Sequence, residues 1–405
     1  MVWAAQAVLA ALIQGADPQA EGVKALEAGR YEEAVQLFLK AVDASPEDYG
    51  ARFHLALAHS LSGRPAEAIG GYKKVLELKP GLYEAQLNLG ILLLRQKDAA
   101  GALACLEQAL SQKPLEFRPA YFAGEARLAA GQFQKAEEAF GAAAHADPKS
   151  ADAELGLGRA IARQGRLADA AAHYRKAAEL DASLQTGLLE LAEAFEAAKQ
   201  PAEAIAIYQT LPDNPAVRER LGSLLLESGR AAQAIPHLEF AAGKSPTAAN
   251  RYALATAYLR NNETDKALTM MNAAVTMEPA SKNLRLTYGR MLRDARRFPE
   301  AASEFAQVVK ADPGSREAWG ELAGICIVTE NYPQALAALD RLRALGAETA
   351  AHFYFRGVIL DRTQQYAPAL ENYRRFLALS QNQSPNEEFK ARQRIKILEK
   401  ELQKR

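Results

Sequence analysis

Apolar residues along the chain recur at three- and four-residue spacing in short runs, and the runs come in pairs. Leu87, Leu89 and Leu93 belong to one run, and Leu103, Leu106 and Leu110 to the next. That spacing puts the apolar side chains on one stripe of a helix, so each pair of runs predicts two amphipathic helices in succession. Paired runs are joined by short segments such as LSGRP (61–65) and AAGQF (129–133), where glycine permits the backbone angles that end a helix. A link this short makes the two helices antiparallel neighbours.

The paired pattern is itself periodic. With Ala34 as a phase marker, alanine recurs at 68, 102, 136, 170, 204, 234, 267, 301, 335 and 369, at intervals of 34 except for 30 before Ala234 and 33 before Ala267. Twelve residues upstream of every marker stands a small residue: Gly22, Ala56, Gly90, Gly124, Gly158, Ala192, Gly222, Ala255, Gly289, Ala323 and Gly357. Twelve residues downstream, seven units carry proline: Pro46, Pro80, Pro114, Pro148, Pro246, Pro279 and Pro313. Small residues in two phased columns let paired backbones approach closely. The proline, lacking an N–H, stops the second helix before the next unit begins.

Four residues after the marker, most units place an aromatic: Phe38, Tyr72, Phe140, Tyr174, Tyr208, Phe305 and Tyr373. With these columns the chain resembles the tetratricopeptide repeat over residues 15 to 383, in eleven units. The resemblance implies an all-α, right-handed superhelical solenoid of antiparallel helix pairs, with first helices lining a concave groove and each unit resting on its neighbours. The sixth unit is four residues short around Leu211 to Pro215, so its second helix is expected to end early. A soft boundary near 212–215 would then separate repeats 1–6 (15–214) from repeats 7–11 (215–383).

The two ends are read separately. In the tail, 384–405, Ser384 and Glu387 have capping-box spacing, Pro385 suits a first helical position, and Ala391, Ile395, Leu398 and Leu402 form one apolar stripe. This predicts a C-terminal helix capping the last repeat. At the other end, residues 1–14 are apolar and uncharged, too short to span a bilayer. They read as a helix packing on the first repeat, or as a signal-like segment lacking a basic start and a small-x-small cleavage site. The compartment therefore stays open between cytoplasm and export.

Composition narrows the function classes. Lys plus Arg and Asp plus Glu each total 49, which argues against a general phosphate-backbone binder. Cys105 and Cys326 are isolated and read as small buried hydrophobes. No two of the six histidines have the i, i+4 spacing of a helical metal site, and no phosphate loop or nucleophile elbow is present. No catalytic, cofactor-binding or metal residue is assigned, and no cofactor is expected.

The groove remains. By resemblance, six positions of each first helix face inward, and in repeats two to five these supply Phe53, His54, Leu57, Leu87, Asn88, Ile91, Arg95, Arg118, Tyr121, Phe122, Glu125, Arg159 and Arg163. Aromatics and arginines are the types enriched at binding hot spots, and an arginine fork suits a carboxylate. A sparser second set is Tyr252, Arg260, Arg290, Arg293, Tyr354 and Phe355. Two recognition codes of the family fail. The carboxylate clamp would keep Asn88 and Arg118, but Phe53, Leu57 and Phe122 stand where it needs lysine, asparagine and arginine. The asparagine ladder would flank Asn88 with asparagines, where this chain has His54, Phe122, Gly156 and Glu190. The expectation is a non-enzymatic interaction scaffold that binds a protein or peptide partner, and not nucleic acid, through Phe53, His54, Asn88, Arg118, Tyr121, Phe122, Arg159 and Arg163. The alternative is an exported assembly factor of a bacterial envelope complex.

Overall fold

The computed structural model describes residues 17–403, which form 23 α-helices and no strand. The expected N-terminal helix or signal-like segment, 1–14, lies outside the described residues. The chain divides into two compact units, the first ending at Leu211 and the second beginning at Pro212.

The first unit stacks six helix pairs: α1 Pro18–Glu27 with α2 Tyr31–Ala44, α3 Tyr49–Leu61 with α4 Pro65–Leu78, α5 Tyr83–Arg95 with α6 Ala99–Gln112, α7 Phe117–Ala129 with α8 Phe133–Ala146, α9 Ala151–Ala162 with α10 Leu167–Leu180, and α11 Gln185–Ala197 with α12 Pro201–Tyr208. The second unit stacks five: α13 Pro215–Glu227 with α14 Ala231–Lys244, α15 Ala248–Arg260 with α16 Thr264–Met277, α17 Lys282–Asp294 with α18 Phe298–Ala311, α19 Arg316–Val328 with α20 Tyr332–Ala344, and α21 Ala350–Arg362 with α22 Tyr366–Ser380. A last helix, α23 Pro385–Gln403, closes the stack. The sixth pair's second helix, α12, has 8 residues where the other second helices have 13 to 15.

The phased columns are the packing contacts. All eleven marker alanines are 0% exposed, at the crossing of the two helices of each pair. Opposite them, the upstream small column receives the large side chain four residues after the marker. A Cβ added at Gly90 would stand 2.5 Å from Leu106 Cγ, and one at Gly289 would stand 2.6 Å from Phe305 Cε1. Where this column holds Ala56, the missing side chain has moved across the interface: a Cβ on Gly71 would meet that of Ala56 at 2.8 Å. The core is therefore a line of local interlocks, as expected of a quasi-one-dimensional fold.

The turn within each pair is equally regular. The residue five before each marker has a left-handed backbone in every pair. It is glycine at 29, 63, 131, 165 and 229, and otherwise Lys97, Lys199, Asn262, Arg296, Glu330 or Gln364. First helices are often capped by a side chain, as where Asp48 accepts from the Gly50 N–H at 2.7 Å and Ser150 from that of Ala153 at 3.2 Å. At the C-terminal end, α23 buries Ala391 and Leu398 against Tyr373 and Phe376, with Ile395 packed alongside. Its first-turn anchor is the buried Glu388, which accepts from Ser380 Oγ at 2.7 Å and from Arg392 at 3.0 Å.

Candidate functional site

The residues expected to line the groove sit on α3, α5, α7 and α9, the first helices of repeats two to five. The structure separates them into packing residues and surface residues. Leu87 and Ile91 are 3% and 7% exposed and belong to the core built with Leu89, Leu93 and Leu106, so they are not part of a binding surface. Phe53 and Phe122 are partly exposed and both lie against that same core cluster.

His54 and Asn88 turn out to be bound within the chain. His54 stacks on Phe38, with ring centroids 5.3 Å apart and planes 16° from parallel, and meets Phe53 edge-on at 5.7 Å. Burial pushes its imidazole pKa below the ordinary value, keeping the ring neutral. The Asn88 amide donates to the Tyr72 hydroxyl at 3.3 Å. Tyr72 is fully buried, and burial pushes its pKa up to about 12, so Asn88 supplies a partner that its hydroxyl needs. In both cases the first-helix residue covers the aromatic sixteen positions earlier. The same register places Gly156 on Phe140, where an added Cβ would stand 2.4 Å from the ring. The position that faces a ligand in the two family codes is used here to cover the preceding repeat.

Arg159 is likewise engaged. Its Nε donates to Glu190 Oε2 at 2.8 Å and its Nη2 to Oε1, a two-pronged pair between α9 and α11. Arg159, expected to orient a partner's acidic group, thus has its fork on the next repeat's carboxylate in this structure. The second unit repeats the arrangement: Arg290 and Arg293 on α17 both pair with Glu321 on α19, and Arg290 also reaches Glu317. Arg260 donates to the Leu226 carbonyl at 2.7 Å. Of the second expected set, Tyr252 and Phe355 remain exposed surface, and Tyr354 meets Phe355 edge-on at 5.6 Å.

What stays open in the first unit is an aromatic strip on α7 with cations beside it. Phe117 stacks on Tyr121 at 5.5 Å, Tyr121 meets Phe122 edge-on at 5.2 Å, and its far edge touches the buried Phe140 at 5.8 Å. All three strip residues are partly exposed. Arg118 and Arg163 are exposed and make no ion pair among the described residues, and the Arg163 guanidinium lies 5.0 Å over the Phe133 ring. Next to the strip, burial raises the pKa of Glu125, opposed by Arg159 and reinforced by Asp152. Burial likewise raises the Tyr121 hydroxyl.

Among the described residues no group of three or more His, Cys, Asp or Glu is placed to hold a metal ion, and no helix is long and apolar enough to cross a membrane. Cys326 is buried while Cys105 is only partly so, and burial raises the pKa of both thiols.

Family models described as tetratricopeptide repeat match residues 20–83, 61–128, 121–184, 187–214, 219–283, 252–316, 292–355 and 327–384. Among curated proteins, the chain is 32% identical over 117 residues to DnaJ homolog subfamily C member 3 of Rattus norvegicus, a stretch covering 29% of this chain and 22% of that protein. It is 26% identical over 156 residues to protein O-mannosyl-transferase TMTC1 of Homo sapiens, 38% of this chain and 18% of that one. It is also 32% identical over 98 residues to the Hsp70-Hsp90 organizing protein of Triticum aestivum, 24% and 17% respectively. The chain thus spans about a fifth of the length of the curated relatives it matches. Among solved structures, MamA from Desulfovibrio magneticus RS-1 aligns with a TM-score of 0.40 and 27% identity, covering 42% of this chain and 97% of that one. With family matches running through nearly all the helix pairs, the chain belongs to the tetratricopeptide repeat family.

Proposed function

We propose that this protein is a non-enzymatic interaction scaffold that holds a segment of a partner protein against the first-helix face of repeats two to five. The observation that carries the reading is the strip of Phe117, Tyr121 and Phe122 on α7, with the unpaired Arg118 and Arg163 beside it. Partly exposed rings held in place by a packed core offer apolar area with little rotamer entropy left to lose, which makes aromatics effective anchors. Arginines with open forks orient a carboxylate or a backbone carbonyl. Membership in a repeat family with an organizing protein among its relatives supports a scaffold over a catalyst. In this reading Tyr121, Phe122 and Phe53 bind, Arg118 and Arg163 orient, His54 and Asn88 hold the face in shape, and Arg159 joins α9 to Glu190 on α11.

The test is affinity capture from native lysate by the full chain, quantified by mass spectrometry, against Tyr121→Ala with Phe122→Ala. The specific partner should fall about tenfold or more in the double variant, with the helical circular dichroism unchanged. Undiminished capture by a folded double variant overturns the assignment.

A further inference from the structure

The second unit ends in a cleft that the packing register of the first unit does not leave open. On α3, α5 and α9, the residue sixteen positions after the packed aromatic covers it: His54 on Phe38, Asn88 on Tyr72, Gly156 on Phe140. On the capping helix the corresponding residue is Phe389, sixteen after Tyr373. Its ring is 62% exposed, and a cleft of about 510 Å³ lies between α21 and α23, lined by Tyr354, Val358, Tyr373 and Phe389. That volume suits one or two large apolar side chains.

Two acids lie near the cleft. Asp361 is neutralised by Arg394, which donates to both carboxylate oxygens at 2.7 and 2.6 Å, and Glu387 lies close enough to Tyr354 to add to the effect of burial in raising its hydroxyl pKa. At the rim stands Lys390, and farther along the same helix stand Lys396 and Lys400. None of the three makes an ion pair among the described residues. At helical spacing, the arc from Lys396 through Phe389, Lys400, Gln393 and Ile397 to Lys390 spans roughly 120° and contains no carboxylate. Ile397 on that arc is 45% exposed. An exposed face with two large apolar side chains and three unpaired ammonium groups complements an acidic segment bearing an apolar anchor.

We propose that this cleft is a second docking site, separate from the α7 face, for an acidic peptide segment of a partner protein. One large apolar residue enters between Tyr354, Val358 and Phe389, and flanking carboxylates meet Lys390 and, along the helix, Lys396 and Lys400.

The experiment uses the full chain and a fluorescein-labelled peptide, Glu-Asp-Asp-Phe-Glu-Asp-Leu, followed by fluorescence anisotropy. Control peptides carry serine in place of the phenylalanine, or lysine in place of every acid. The acidic apolar peptide should bind, weaken as salt rises, and lose about tenfold in affinity with Phe389→Ser and again with Lys390→Glu. Both substitutions are at exposed positions, and they are made in the Tyr121→Ala, Phe122→Ala background so that the α7 face does not contribute to the signal. Three results overturn the proposal: no binding at millimolar protein; binding that Lys390→Glu leaves intact; or binding of the chain to phosphatidylserine vesicles, lost in both variants, while the peptide fails to bind. A sedimentation-detected dimer dissolved by Phe389→Ser overturns it too, assigning the face to a second copy.

Discussion

Substituting Gly156 by alanine tests the packing register directly. Phe140 is fully buried, with Gly124 on one side and Gly156 on the other. A Cβ on Gly156 would lie 2.4 Å from Phe140 Cε1 and 2.7 Å from Cδ1, and the ring has little room to retreat because a Cβ on Gly124 would itself lie at 2.9 Å. Overpacking of this kind costs about 1–3 kcal/mol, and the blocked retreat places the cost toward the upper end. Alanine gains back about 1 kcal/mol of helix propensity, leaving a net loss of roughly 1–2 kcal/mol. For a unit of this size that is a fall of about 2–8 °C in melting temperature. Gly141 is the matched control: it also lies within a helix, but an added Cβ there meets nothing within 4 Å. Gly141→Ala should therefore raise stability by about 0.5–1 kcal/mol. Adding Phe140→Leu, the residue type present in that column as Leu106 and Leu238, should relieve part of the Gly156→Ala loss. Thermal and urea melts of the parent chain and the three variants measure these terms. If Gly156→Ala stabilises as much as Gly141→Ala, the sixteen-residue register is wrong.

Other outcomes follow from the same structure. The left-handed Arg296 and Glu330 should each give about 1 kcal/mol on replacement by glycine, read as a higher urea midpoint with unchanged slope. His54, His59, His237 and His352 have pKa values lowered from 6.5, mainly by burial, so the unfolded chain takes up protons that the native chain resists. Stability should then fall as pH drops through about 6.5, and a melting temperature no lower at pH 5.5 than at 7.5 would contradict this. The Arg159–Glu190 pair is more than a third exposed on both sides, so Arg159→Ala should cost under about 1 kcal/mol. It should also leave partner capture intact, since that fork is already filled, and the swap Arg159→Glu with Glu190→Arg should restore the melt.

The fold was legible in the sequence because a one-dimensional stack writes each contact once per repeat. Every marker alanine proved fully buried, and the short sixth repeat produced the 8-residue α12. The capping helix began at Pro385, although the first-turn acid that anchors it is Glu388 rather than Glu387. The surface was legible only in part, because a family position tells which way a side chain points and not what already occupies it. Asn88 and His54, expected to face a partner, each contact the aromatic of the preceding repeat. A signal for this existed: Phe38 with His54 and Tyr72 with Asn88 share a spacing of sixteen. Likewise, Arg159 with Glu190 and Arg290 with Glu321 share a spacing of thirty-one, so recurrent charge complementarity between repeats marks which arginines are spoken for. The left-handed Lys97 and Glu330 carried no such signal, since only the phase of the glycines in other repeats identifies their backbone.

The central claim is that a partner lies on the first-helix face of the first unit. Hydrogen–deuterium exchange of the full chain, with and without its captured partner, tests it most directly. Protection concentrated on α5, α7 and α9, strongest over Phe117–Ala129, is the predicted result. Protection confined to the second helices α6, α8 and α10, with α7 unchanged, would contradict it.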